Sequence, residues 1–280
     1  MAPAGTAGRP RSPLFLPPNT LPVKVLPAAI CILLLAACRN DPPDETSAAR
    51  RPALIRNVET AHRKTEFLAR ETVSFDLELH RTGRPVLQAT VLQRTDGTRI
   101  RLRKANGSEI LFDGSSGWLT PAGQQDAEAR FDLFAWHYFF CLPWKLTDPG
   151  VNCQEQPGRQ WEGVSCHTGR LSFKPGTGDA PDDWFLVFSD EKEGLLRGAV
   201  YIVTFGDVAA RLAEKTPQAI AYADFRPVDG IPVAHSWRFY RWHTDSLGSR
   251  ETTGTAVIRN VRFDDEHPED FAVPPGAGKI

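Results

Sequence analysis

Methionine is almost absent from this 280-residue chain, its one copy being residue 1. A Met-lined promiscuous groove is therefore excluded. An excess of either charge is missing too, with 33 basic against 34 acidic residues and a formal net charge of −1. Without surplus cations to neutralise phosphates, nucleic acid is not an expected partner. The catalytic fingerprints H-E-x-x-H and G-x-S-x-G, the P-loop and the dinucleotide-binding glycine motif do not occur, so no enzyme class is indicated. Glycine and proline are plentiful, at 22 and 23 copies. They suit many turns between short strands better than a helical bundle.

Residues 1–37 carry Arg9, Arg11 and Lys24 and no acidic residue. They end in ten apolar residues, 28–37. That run is too short to span a bilayer but has the length of a secretory h-region. Its end, Leu35-Ala36-Ala37-Cys38, resembles the bacterial lipobox. We therefore expect residues 1–37 to be a lipoprotein signal peptide and Cys38 to be lipidated. Arg39 follows the Cys, without the Asp associated with inner-membrane retention, so outer-membrane placement facing the periplasm is the expectation. Residues 38–51 are polar, Pro-containing and aperiodic, which predicts a flexible tether. Residues 52–280 are expected to form one domain.

Leu54, Ile55, Val58 and Ala61 share a face at helical spacing after Pro52. The period then changes to two, with Val73, Phe75, Leu77 and Leu79 alternating with polar residues. Further short alternating runs are separated by Asp96-Gly97, Asn106-Gly107 and Asp113-Gly114, which are hairpin signals. The fold class expected is mainly β (α+β). It is a single large curved antiparallel sheet, an open half-barrel of about 11 strands. A short N-terminal helix accompanies it, and an aromatic helix covers the concave face.

That second helix is expected over residues 127–144, where seven of the 27 aromatic residues fall within positions 131–144. So apolar a helix must be buried broadly. Phe131, Phe134, Ala135, Tyr138, Phe139 and Leu142 fall on one face and are the expected lining of an apolar ligand cavity. Plain core packing explains the same pattern. Cys141 in this helix reads as a buried free thiol. Cys153 and Cys166 flank a turn near Gly158-Arg159 and could form a disulfide across it. Three cysteines spaced by twelve and thirteen residues suit zinc poorly. The seven His residues are scattered, and neither metal nor cofactor is expected. Asp179, Asp182 and Asp183 form the densest acidic cluster. They read as a loop closing Asx-turns, or alternatively as an acid/base or metal set. Asp264-Asp265-Glu266 reads as a solvated acidic surface.

Several motifs together resemble an uncharacterised family of bacterial envelope lipoproteins. They are the lipobox, Ala61-His62, Phe75-Asp76-Leu77, Leu111-Phe112-Asp113-Gly114 and Tyr138-Phe139-Phe140 with Leu142-Pro143. Asp229-Gly230 with Pro232, and Trp237 with Phe239-Tyr240 and Trp242, extend the match over nearly all of residues 55–275. The resemblance implies the open-barrel architecture of the periplasmic lipoprotein carrier and the outer-membrane lipoprotein receptor, and it carries over no catalytic residue. The chain departs from it where Arg63-Lys64-Thr65 stands in place of a Gly-rich turn.

The expected function is a non-enzymatic, lipid-anchored envelope protein that binds an acyl chain, lipid or lipoprotein under the aromatic helix. The alternatives are a non-catalytic scaffold lipoprotein, or a metal-dependent hydrolase using Asp179, Asp182 and Asp183.

Overall fold

The computed structural model describes residues 51–124, 126–178, 180–204, 213–243 and 252–280. The expected signal segment, Cys38, nearly all of the expected tether and Asp179 lie outside the described residues.

Two short helices come first, α1 (Ala53–Ala61) and α2 (Lys64–Leu68). Five strands follow: β1 (Thr72–Arg81), β2 (Leu87–Arg94), β3 (Ile100–Lys104), β4 (Glu109–Phe112) and β5 (Gly117–Thr120). Helix α3 (Ala129–Cys141) and a 3-10 turn (Leu142–Trp144) interrupt them. The sheet resumes with β6 (Val151–Trp161), β7 (Val164–Phe173), β8 (Trp184–Asp190) and β9 (Leu196–Tyr201). It ends with β10 (Gln218–Val228), β11 (Ile231–Arg241), β12 (Thr252–Asp264) and β13 (Gly278–Lys279). All thirteen described strands join one antiparallel sheet in the order β13-β5-β4-β3-β2-β1-β12-β11-β10-β9-β8-β7-β6.

The sheet is therefore two meanders, β1–β5 and β6–β12, joined where β1 pairs with β12. Strand β1 sits inside the sheet, and its alternation places Val73, Phe75, Leu77 and Leu79 in the core. The 13 strands exceed the expected number partly because Gly278–Lys279 is too short to show a period. The three expected Gly turns form: Gly97, Gly107 and Gly114 all take positive φ, which glycine adopts without steric cost.

The β6–β7 hairpin turns later than its sequence suggests. Pro157 and Gly158 lie inside β6 at a register shift between Gln156 and Arg159. The turn itself is Glu162-Gly163, both with positive φ. Arg159 thus faces Cys166 and Leu171 faces Cys153. An offset of five from Cys166 to Leu171 puts the two thiols on opposite sheet faces. The expected Cys153–Cys166 disulfide is accordingly not formed, and both cysteines are free. Cys141 is free and buried.

The hairpin tip curls over the convex face. There Trp161, Phe188 and Tyr240 anchor a second, smaller apolar cluster. Trp161 lies so close to β9 that a Cβ added at Gly198 would come 2.1 Å from its ring. Glu162 pairs with Arg238 on β11 at 3.0 Å.

The main core fills the concave side, where α1, α2 and α3 pack against the sheet. Between α1 and α2 the chain bends at Arg63, whose φ of 51° is left-handed. This is where the resembled family has its Gly-rich turn. Here an arginine takes the strained conformation, and its guanidinium donates to the Gly230 carbonyl at 3.2 Å. Glu266 is no free surface charge, because it pairs with Arg94 and Arg99 and ties the C-terminal segment to the sheet.

Candidate functional site

Helix α3 has two different faces. Leu133, Trp136 and Phe140 point into the core and are at most 4% exposed. Phe140 stacks on Phe75 of β1 with ring centroids 4.2 Å apart. The first turn is fixed by Asp132, which is buried yet fully engaged. Its Oδ1 accepts from Trp136 Nε1 and its Oδ2 from Lys104 Nζ, each at 2.8 Å. Lys104 also reaches Asp126 at 2.8 Å. Burial alone would lower the Lys104 ammonium, but the hydrogen bonds it donates to both carboxylates outweigh that and raise its pKa. A carboxylate in the first helical turn is further favoured by the helix dipole.

The opposite face of α3 is half-buried and borders a cleft of about 380 Å³. Phe131, Phe134, Ala135, Tyr138 and Phe139 line one wall, and Phe112, Phe173, Phe185 and Tyr201 line another. T-shaped and tilted ring contacts knit the walls together. Phe134 meets Phe112 with centroids 5.3 Å apart, and Phe139 meets Tyr201 at 4.9 Å. Aromatic pairs favour such offset and T-shaped geometry. Five of the six residues expected to line a cavity therefore border this one cleft.

Leu142 is the exception and corrects the helical reading. The α-helix ends at Cys141, and Leu142 opens a 3-10 turn. The tighter winding takes its side chain off the cleft face, and it is fully buried in the core. The strand aromatics Phe112, Phe173, Phe185 and Tyr201 were not expected at the site. Their only signal in the sequence is their position at or near strand ends.

Few polar groups enter the cleft. The Tyr138 hydroxyl is buried with no hydrogen-bond partner, and burial pushes its pKa up. Asp183 accepts at Oδ1 from the Thr204 amide and hydroxyl at 2.6 and 2.7 Å. Burial nevertheless raises its carboxyl above the usual range, more than those two bonds lower it. His137 is buried, and burial together with the Lys145 ammonium drives its pKa far down. Arg130 at the rim lies over the Phe134 ring, 5.2 Å from its centroid. Asp183 thus serves as a clamp on the segment after β9. Among the described residues no group of three His, Cys, Asp or Glu could hold a metal ion.

The walls are held at the far end of α3 by His62 and Trp144. Trp144 donates to the His62 carbonyl at 2.7 Å and stacks on Phe67 with centroids 3.9 Å apart. The His62 Nε2 accepts from the Leu196 amide of β9 at 3.0 Å. One buried imidazole therefore joins the α1–α2 bend to the sheet. Burial lowers its pKa to about 4.

No family model matches the chain, and no curated protein matches its sequence. Among solved structures, a LolA superfamily protein from Nitrosomonas europaea aligns with a TM-score of 0.52 at 10% identity. The alignment covers 77% of this chain and 97% of that one, and the two share a fold. A DUF1329 family protein from Desulfovibrio piger aligns at a TM-score of 0.48 and 13% identity. It covers 74% of this chain and 92% of the other.

Proposed function

We propose that this is a lipid-anchored protein of the bacterial cell envelope that holds an acyl chain in the aromatic cleft beside α3. The observation that carries this reading is the cleft itself. Its volume of about 380 Å³ lies within the range of small-molecule sites, which are mostly apolar with few polar groups. Eight aromatic side chains around one opening leave Phe131, Phe134 and Tyr138 incompletely packed, although each sits on a helix otherwise sunk in the core. Each methylene drawn from water into such a site contributes about 0.8 kcal/mol. The fold shared with a LolA superfamily protein supports a role in the envelope, and the lipobox at Cys38 supports a lipid anchor. Several acyl chains on one cysteine would hold the protein at a membrane, whereas a single chain gives only marginal binding.

Ala135 is the smallest side chain on the helical wall, so Ala135→Trp should fill the cleft. The variant should keep the far-ultraviolet spectrum of the parent. It should bind a fluorescent fatty-acyl probe at least about tenfold more weakly, and organic extracts of it should lack co-purified lipid. Unchanged probe affinity would sink the reading, and partners in cross-linked cells without any extracted lipid would favour a scaffold instead. Separately, Cys38→Ser should move the exported chain from the membrane to the soluble fraction. If it stays with the membrane, acylation of Cys38 is not what anchors it.

A further inference from the structure

The aromatic cleft has a neighbour on the other side of Phe131 and Phe139. A second hollow of about 410 Å³ shares Phe131, Phe139, Tyr201 and Val203 with it and continues past Trp136 and Phe239. This hollow in turn shares Arg81, Arg84 and Glu128 with a third space of about 620 Å³. The third space has a different character. Six charged side chains line it: Arg81, Arg84, Lys104, Asp126, Glu128 and Asp132.

These six form two triads of opposite net charge. Arg81 and Arg84 share one carboxylate, Glu128, at 3.1 and 2.5 Å. That group carries one uncompensated positive charge, and the Arg81 Nε is buried with no partner. Lys104 is shared by two carboxylates, Asp126 and Asp132, both at 2.8 Å. That group carries one uncompensated negative charge. The whole space is neutral but polarised, so neither a simple anion nor a simple cation satisfies it. Guanidinium pairs suit phosphate geometry, and the carboxylate surplus suits an ammonium.

We infer that the ligand is a zwitterionic glycerophospholipid. Its acyl chains run through the aromatic cleft and the second hollow, its phosphodiester lies against Arg81 and Arg84, and its ammonium faces Asp126. This inference rests on acyl binding in the cleft and names the head that belongs to the chain.

The test uses purified protein freed of lipid and a fluorescent acyl probe displaced by three competitors with the same oleoyl chains. These are a phosphatidylethanolamine, a phosphatidylglycerol and methyl oleate. The phosphatidylethanolamine should compete at least about tenfold better than either of the others. Arg84 is mostly exposed, so Arg84→Gln should fold normally. It should weaken phosphatidylethanolamine about tenfold while shifting methyl oleate by less than about threefold. Asp126→Asn should narrow the gap between the ethanolamine and glycerol heads. Equal competition by those two heads in the parent overturns the inference, as does an Arg84→Gln variant that weakens all three competitors alike. A parent protein that binds the acyl probe without head preference overturns this inference alone. One that binds no acyl probe overturns the proposed function and this inference with it.

Discussion

Trp144→Ala should cost about 3–5 kcal/mol of folding stability, the usual toll of truncating a buried aromatic residue. Trp144 is 3% exposed, and three neighbours depend on it. Phe67 of α2 loses a nearly parallel stack at 3.9 Å. Phe140 of α3 loses a tilted contact at 5.9 Å. The His62 carbonyl loses the indole donor that satisfies it. Trp144→Phe separates these terms, since it keeps a ring for Phe67 but removes the N–H. It should cost about 1–3 kcal/mol, the price of a buried acceptor left without its donor. Urea denaturation of both variants measures the two values. A loss below about 1 kcal/mol for the alanine variant, closer to a surface substitution than to truncation of a core aromatic residue, would mean that the bend between α1 and α2 does not lean on this indole. Because the same residues brace the end of α3, the alanine variant should also bind the acyl probe more weakly.

Acidification should remove about 2–3 kcal/mol of stability between pH 7 and pH 4.5 through His62 alone, by linkage between protonation and folding. The folded-state pKa, about 4, lies below the ordinary imidazole value of about 6.5. The unfolded chain therefore takes up the proton first. Stability from the neutral imidazole is complete above about pH 6.5 and is lost as pH falls towards 4. His137 is shifted in the same direction by burial and by Lys145 and adds to the loss. Carboxylates held low by hydrogen bonds, such as Asp113 and Asp190, respond at lower pH. The backbone and side-chain donors around them outweigh the desolvation that would raise them. Their stabilisation disappears only as pH falls through their depressed folded values. Asp183, raised by burial, works against the histidines, because its protonation favours the folded state. Urea midpoints measured across this range should therefore fall first in the histidine window. His62→Gln keeps an acceptor for the Leu196 amide and should flatten that part of the curve. A wild-type midpoint that is level from pH 7 to pH 4.5 would show that His62 is not held neutral in the folded protein.

The helix α3 shows how far local pattern carries. Its aromatic density was legible, and so was a broad burial requirement. The division of labour between its faces was not, because a helix apolar on nearly all sides gives no phase. Leu133, Trp136 and Phe140 took the core, and the residues with the clearest common spacing were left beside the cleft. Leu142 left that face once the last turn tightened. The hairpin β6–β7 failed differently. Pro157-Gly158 is the stronger turn signal in isolation, yet Glu162-Gly163 supplied the two consecutive positive φ values the hairpin needed. A shift in turn position re-registers every pair, and the cysteines separated accordingly.

The sequence by itself determined the strands, their buried faces and most of their turns. Alternation, glycine conformation and proline geometry act over a few residues, so they can be read without the rest of the chain. It also determined the aromatic segment of α3. Only the tertiary structure decided that β1 and β12 meet and that one arginine takes a bend where glycine is usual. It alone brought Phe112, Phe185 and Tyr201 to face α3, and gathered Arg81, Arg84, Lys104 and three carboxylates around one space. Those arrangements depend on contacts between residues far apart in the chain, and a contact of that kind leaves no period in the sequence.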